Sequence, residues 1–135
     1  METTEKFLDY VKKMQAYTEA IGLMYWDLRT GAPKKGVDQR SQVIGTLSSE
    51  VFGMQTSDEL AAMLDELGKN LDSLDSIKRK TVEKVKKEYD MSKKIPAEEY
   101  KAYVILTSKG ESVWEEAKEK SDFSLFYPYL NEIVE

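Results

Sequence analysis

Glu111, Glu115 and Glu119 stand four residues apart, with Glu116 beside them, in a stretch rich in helix formers. At that spacing carboxylates share one face of a helix. Carboxylate-bridged metal sites in helical bundles use inward glutamates, and they complete the set with a Glu-x-x-His pair. This chain has no histidine and no cysteine. It therefore lacks the imidazole and thiolate ligands of ordinary zinc sites and the usual general base near neutral pH. A serine or cysteine nucleophile paired with histidine is excluded as well. Exposed or paired glutamates are the rule, so a solvated acidic face is favoured over a metal site. No residue is assigned as catalytic or as a metal ligand.

Three other groupings invite chemistry and lose it on inspection. The basic run "IKRKTVEKVKK", Ile77 to Lys87, is interrupted by Glu83, in a chain with 20 Lys+Arg against 25 Asp+Glu and a net charge of −5. That balance favours a solvated helix face over a nucleic-acid surface. "GAPKKG", Gly31 to Gly36, lacks the spacing and the preceding strand of a phosphate-binding loop. Tyrosines and methionines recur at helical spacing, where they are ordinarily core; some could face outward as an interface patch. Trp26-Asp27 is the remaining constellation. An acid in the last turn of a helix sits at the unfavourable end of the dipole and needs compensation. Arg29, Arg40 or the start of the next helix can supply it, making Asp27 a clamp across the turn.

The elements that must hold these residues are helices. Phe7, Val11, Met14, Tyr17, Ile21, Met24 and Leu28 recur every three or four residues, which predicts a first helix from about Thr4 to Leu28. Pro33 ends it. A second helix is expected from Val37 to Phe52, with Gly53 as its stop. Thr56 to Glu59 reads as a capping box with Thr56 as the cap, opening a third helix that buries Leu60, Met63, Leu64 and Leu67. A fourth is expected from about Leu74 to Lys94, mostly wet, with Ile77, Thr81, Val82, Val85 and Tyr89 as its stripe and a Glu83–Lys87 pair on its surface. Pro96 suits the first turn of a fifth, reaching Lys120, with Tyr100, Tyr103, Val104, Thr107, Trp114 and Ala117 inward. Ser121-Asp122 caps the short turn "FSLFY", and Pro128 starts the last helix. With 135 residues this predicts one all-α domain over 1–135, a bundle of five to six mostly antiparallel helices. The first residues carry charges within their apolar pattern, unlike a signal peptide. No apolar run approaches the roughly 20 residues needed to span a bilayer. A cytoplasmic protein with neither membrane nor nucleic-acid partner is the expectation. Phe126, Tyr129, Leu130, Ile133 and Val134 form an apolar face still running at Glu135. It reads either as a terminal helix docked on its own core or as a polypeptide that continues.

Two stretches resemble a known family. "YTEAIGLMYWDLRTGAPKKGVDQRSQVIGTLSSEVF" is similar to the N-terminal region of the carboxypeptidase Taq family of zinc metallocarboxypeptidases. The matching residues are Trp26, Asp27, Thr30, Pro33, Gly36 and Arg40, then Leu47 and Ser48. "KKIPAEEYKAYVILTSKGESVWEEAKEKSDFSLFYPYLNEIVE" resembles that family's long helix followed by its D-F-x-x-F-x-P-x-L turn, through Pro96, Trp114, Asp122, Phe123, Phe126, Pro128 and Leu130. The resemblance implies a large helical enzyme, often dimeric. An H-E-x-x-H helix and a downstream glutamate would hold zinc or another divalent metal, and single residues would be removed from peptide C-termini. None of that metal motif is in this sequence. The chain is then expected to be the N-terminal part of a larger helical metallopeptidase fold, a wall or cover of the cleft. Trp26 and Asp27 would set how its first two helices meet. Exposed apolar surface would lead it to self-associate. The alternative is a standalone helical adaptor that binds a partner through its aromatic stripes.

Overall fold

The computed structural model describes residues 2–135. Its helices are α1 (Glu2–Thr30), α2 (Val37–Gln55), α3 (Asp58–Gly68), α4 (Ser76–Ser92), α5 (Ala97–Glu119) and α6 (Tyr127–Val134). Short 3-10 turns at Lys34–Gly36, Leu71–Ser73 and Phe123–Leu125 join them, and no strand occurs among the described residues. The all-α expectation holds.

α1, α3 and α4 bury much of the apolar face that their period predicts, whereas α5 turns a different edge inward. α1 lies on α2 and α3, α3 on α4, α2 on α5, and α5 on α6. One core gathers Phe7 of α1, Leu60, Met63, Leu64 and Leu67 of α3, and Val82 and Val85 of α4. Phe7 is almost fully buried at its centre, so cutting it to alanine removes about 3–5 kcal/mol. The α2–α5 crossing is built differently, from small and polar residues. Ser41 and Ser108 are buried there and share a 2.9 Å hydroxyl–hydroxyl hydrogen bond. Gly45 lies directly beneath Ile105. Phe52 stacks on Tyr100 at the far end, rings 4.2 Å apart.

Several boundaries differ from expectation, each for a local reason. α1 runs on to Thr30, where the Asp27 carbonyl accepts from the amides of both Gly31 and Ala32. α2 passes through Gly53, whose φ is not positive, and stops at Gln55. Ser57, not Thr56, caps α3: its Oγ accepts from the Leu60 amide at 3.1 Å. The Thr56 hydroxyl instead donates to the Phe52 carbonyl at the end of α2. Asp75 caps α4 by accepting from the amides of Ile77 and Lys78, which moves the start of that helix to Ser76. Pro96 is the cap of α5 rather than its first residue, and Pro128 falls one residue inside α6. Ile77, Tyr103 and Trp114, expected to face inward, are exposed. Ile77 sits in the first turn of α4, ahead of the buried Val82 and Val85. On α4 the spacing-of-four ion pairs are Lys84–Glu88 and Lys86–Asp90, with none between Glu83 and Lys87.

Candidate functional site

Asp27 and Arg40 meet across the α1–α2 corner. Asp27 lies in the last turn of α1 and Arg40 in the first turn of α2, and the guanidinium Nη1 is 2.9 Å from Asp27 Oδ2. Both groups are half-exposed. Thr30 donates from its hydroxyl to the Trp26 carbonyl, a helix-end bond that says nothing about a ligand. Pro33 caps, and Gly36 ends, the 3-10 turn that swings the chain from one helix to the next. Trp26 does not share in the corner. Its side chain points into solvent at 70% exposure, so packing of the indole cannot fix how the two helices meet.

The acidic face of α5 is a seam. Arg29, the basic residue in the last turn of α1, reaches two carboxylates one turn apart: Nη2 to Glu111 Oε2 at 2.7 Å and Nη1 to Glu115 Oε1 at 3.0 Å. Lys34 stands 3.8 Å from Glu119, and Lys109 pairs with Asp38 at 2.9 Å. Four cation–carboxylate pairs thus tie α5 to the α1–α2 corner. Glu116 pairs along its own helix with Lys120, and that hydrogen bond holds the carboxyl below its usual range. Tyr25 sits against this seam, and burial, then the charge of Glu111, pushes its phenol up. Burial raises Tyr100 as well.

These residues do not fit a metal. Among the described residues no group of three or more His, Cys, Asp or Glu side chains is placed to hold one. The carboxylates of Glu111 and Glu115 are already engaged by a guanidinium, and zinc's usual nitrogen and sulfur donors are missing from the sequence. Gly31 and Gly36 do not have positive φ. On α4, Lys78 pairs with Asp75, Arg79 with Asp72, Lys84 with Glu88 and Lys86 with Asp90.

A second constellation gathers at the α5–α6 corner. Ser121 has φ 51°, the left-handed region in which a serine is uncommon. The turn is tied down by the Asp122 amide donating to the Ala117 carbonyl. Asp122 Oδ1 in turn accepts from the amide and the hydroxyl of Ser124. Phe123 follows, 61% exposed, with its ring edge-on to Phe126 and Tyr127 at 6.2 and 6.1 Å. Trp114 carries the Lys118 ammonium 5.1 Å above its ring. Trp114, Ala117, Phe123 and Phe126 line a surface cavity of about 370 Å³ whose polar edge is Lys118, Ser121 and Asp122. Pro128 lies in the first turn of the helix behind this group, and Phe126 touches the space beside Gly110.

The structure thus brings together Asp27 with Arg40, and Trp114 with Asp122, Phe123 and Phe126, and leaves Trp26 apart. The reading of the sequence missed Arg29 as the bridge to α5. It also missed the Ser41, Gly45 and Ser48 series on α2, small residues at four- and three-residue steps that signal a close helix crossing.

The fold is that of an all-α bundle protein whose α1–α2 corner and acidic α5 face are joined by cation–carboxylate pairs. The chain belongs to the carboxypeptidase Taq (M32) metallopeptidase family, whose profile matches residues 6–135. It is 52% identical to carboxypeptidase 1 of Bacillus subtilis over 136 residues, covering all of this chain and 27% of that protein. The thermostable carboxypeptidase 1 of Pyrococcus furiosus is 29% identical, covering 98% of this chain and 26% of that one. The solved structure described as BsuCP superposes with a TM-score of 0.96 at 51% identity, over 98% of this chain and 27% of the other. The chain spans about a quarter of the length of the curated relatives it matches. No described helix is long and apolar enough to cross a membrane.

Proposed function

We propose that this chain forms the N-terminal helical wall, or cover, of the substrate cleft in a zinc metallocarboxypeptidase that removes single residues from peptide C-termini. One observation carries the reading. The fold superposes at a TM-score of 0.96 on only 27% of a relative's structure, in a sequence without histidine or cysteine. In this proposal the metal and the general base come from polypeptide outside the stretch, and the helices contribute shape and rigidity. Asp27 and Arg40, with Thr30 at the end of α1 and Pro33 and Gly36 in the connecting segment, set the angle of α1 on α2. Asp122 and Pro128 set the α5–α6 corner. The whole enzyme is a cytoplasmic dimer acting on peptides.

Split-enzyme complementation tests this. The chain is co-produced with the three-quarters of Bacillus subtilis carboxypeptidase 1 that it does not match. The expected result is release of the C-terminal residue from an N-blocked dipeptide, abolished by a chelator and restored by zinc. A complex that assembles with metal and stays inactive, beside an active unsplit enzyme, would overturn the proposal. A second reading, a helical adaptor that binds a partner protein, draws on the exposure of Trp26, Tyr103 and Trp114. Stable capture of a protein unrelated to the enzyme, with no complementation, would favour it.

A further inference from the structure

We infer that the aromatic cluster at the α5–α6 corner is the anchor on which the rest of the metallocarboxypeptidase seats; this rests on the function proposed above. Phe123 and Tyr127 are 61% and 57% exposed, side by side, and Trp114 lines the same cavity as Phe123. Exposed rings gathered into one patch, unlike rings exposed singly, mark an interaction surface. The local backbone is built to keep them there. Ser121 occupies a left-handed conformation that serine disfavours, and Asp122 locks the next turn through two hydrogen bonds to Ser124. The left-handed Ser121 caps the C-terminal end of α5, which is closed by the Asp122 amide on the Ala117 carbonyl and the Ser121 amide on the Lys118 carbonyl, and it fixes the direction in which the rings leave the helix. The arrangement also has the anatomy of a binding hot spot, aromatic anchors around a pocket with charges at the rim, here Lys118 and Asp122.

The size of the patch argues for this occupant. Aromatic side chains bury roughly 150–250 Å² each, and these three are already partly covered, so the cluster offers a few hundred Å² at most. A stable dimer of separate copies needs about 800 Å² per partner. The cluster is too small for that alone and suits an anchor within a larger contact inside one enzyme. Such a contact is required by the proposed function, because about three-quarters of each relative lies outside the matched stretch. Other large apolar side chains are exposed as well, Leu23, Trp26 and Val134 among them, and Ile77 lines a separate cavity with Val11, Met14 and Val51, so that its variant reports on a rival anchor.

The test is competition for the complementary three-quarters of Bacillus subtilis carboxypeptidase 1. Wild-type and variant chains are co-produced with it at equal levels, and the captured ratio is measured. The patch variants are Phe123→Ser and Tyr127→Ser, both solvent-facing changes, with Trp114→Phe as a milder third. Ile77→Ser is the control, and circular dichroism confirms that each is folded. Wild type is expected to outcompete the two serine variants about tenfold or more, while Ile77→Ser competes equally. Equal capture of the patch variants overturns the inference and leaves the proposed function standing. Failure of wild type to be captured overturns both. A dimer of the chain alone, abolished by Phe123→Ser in sedimentation equilibrium, assigns the patch to a second copy and also overturns the inference.

Discussion

Gly45→Ala should destabilise the protein although it places a better helix former in the middle of α2. A Cβ built on Gly45 falls 2.3 Å from Ile105 Cγ1 and 2.9 Å from its Cδ1. Carbon atoms in contact prefer about 3.5–4.0 Å, so more than 1 Å must be recovered. Ile105 is β-branched and held in one favoured helical rotamer, so its Cγ1 cannot swing clear cheaply. The remaining route is to separate α2 from α5, which would stretch the buried Ser41–Ser108 bond. Overpacking of this kind costs about 1–3 kcal/mol, while Gly to Ala in a helix returns about 1 kcal/mol. The net expectation is a loss of about 1 kcal/mol. Gly22→Ala provides the contrast, because nothing lies within 4 Å of its built Cβ and its φ is negative. It should gain about 1 kcal/mol. For a chain of this length each kcal/mol moves Tm by about 2–4 °C, so the two variants should melt several degrees apart, on opposite sides of wild type. In an Ile105→Ala background the Gly45→Ala penalty should vanish, since both clashing atoms are gone. If Gly45→Ala raises Tm as much as Gly22→Ala, the close crossing does not exist and the described packing of α5 on α2 is wrong.

Three further predictions concern the polar seams. Ser108→Ala strands the Ser41 hydroxyl in a buried site and should cost about 1–2 kcal/mol in urea unfolding, whereas the Ser41→Ala, Ser108→Ala double variant should recover most of it. Asp27→Ala should cost about 0.5–1 kcal/mol, because its pair with Arg40 is half-exposed and screened. The loss should shrink in 1 M salt, and a salt-independent loss would place its cause elsewhere. The phenol of Tyr25 is raised in the folded state, so the unfolded chain releases that proton first as pH climbs. Stability is therefore fully present below the ordinary tyrosine range and falls as pH rises through the folded value. Tyr25→Phe should flatten that alkaline decline, and ultraviolet difference titration should show one late-ionising tyrosine fewer.

What the sequence revealed follows from the range of each physical signal. Apolar periodicity is local and dense, so the helices and the interior positions Phe7, Leu60, Leu64 and Val82 were all legible. Caps are decided by single hydroxyls, and Thr56 and Ser57 compete for the same job one residue apart. Only backbone direction settles that Ser57 wins. Exposure of a large side chain depends on which neighbours arrive from far along the chain. Nothing near Trp114 or Tyr103 in sequence could show that α5 buries its Ser108 and Gly110 edge instead. The acidic face was read as non-metallic from the missing imidazole. Its engagement by Arg29, across more than 80 residues of chain, was not readable, because long-range ion pairs leave no pattern in spacing. The small-residue series Ser41, Gly45 and Ser48 on α2 is local and legible in spacing, although it contains nothing reactive.

The most direct measurement is peptide hydrolysis by the purified chain alone, with zinc supplied and with chelator added, alongside titration calorimetry of the same zinc. The account predicts no release of C-terminal residues under either condition and no stoichiometric zinc binding. Chelator-sensitive release by the isolated chain, or one tightly bound zinc per molecule, would contradict it: these helices would then hold a hydrolytic centre of their own.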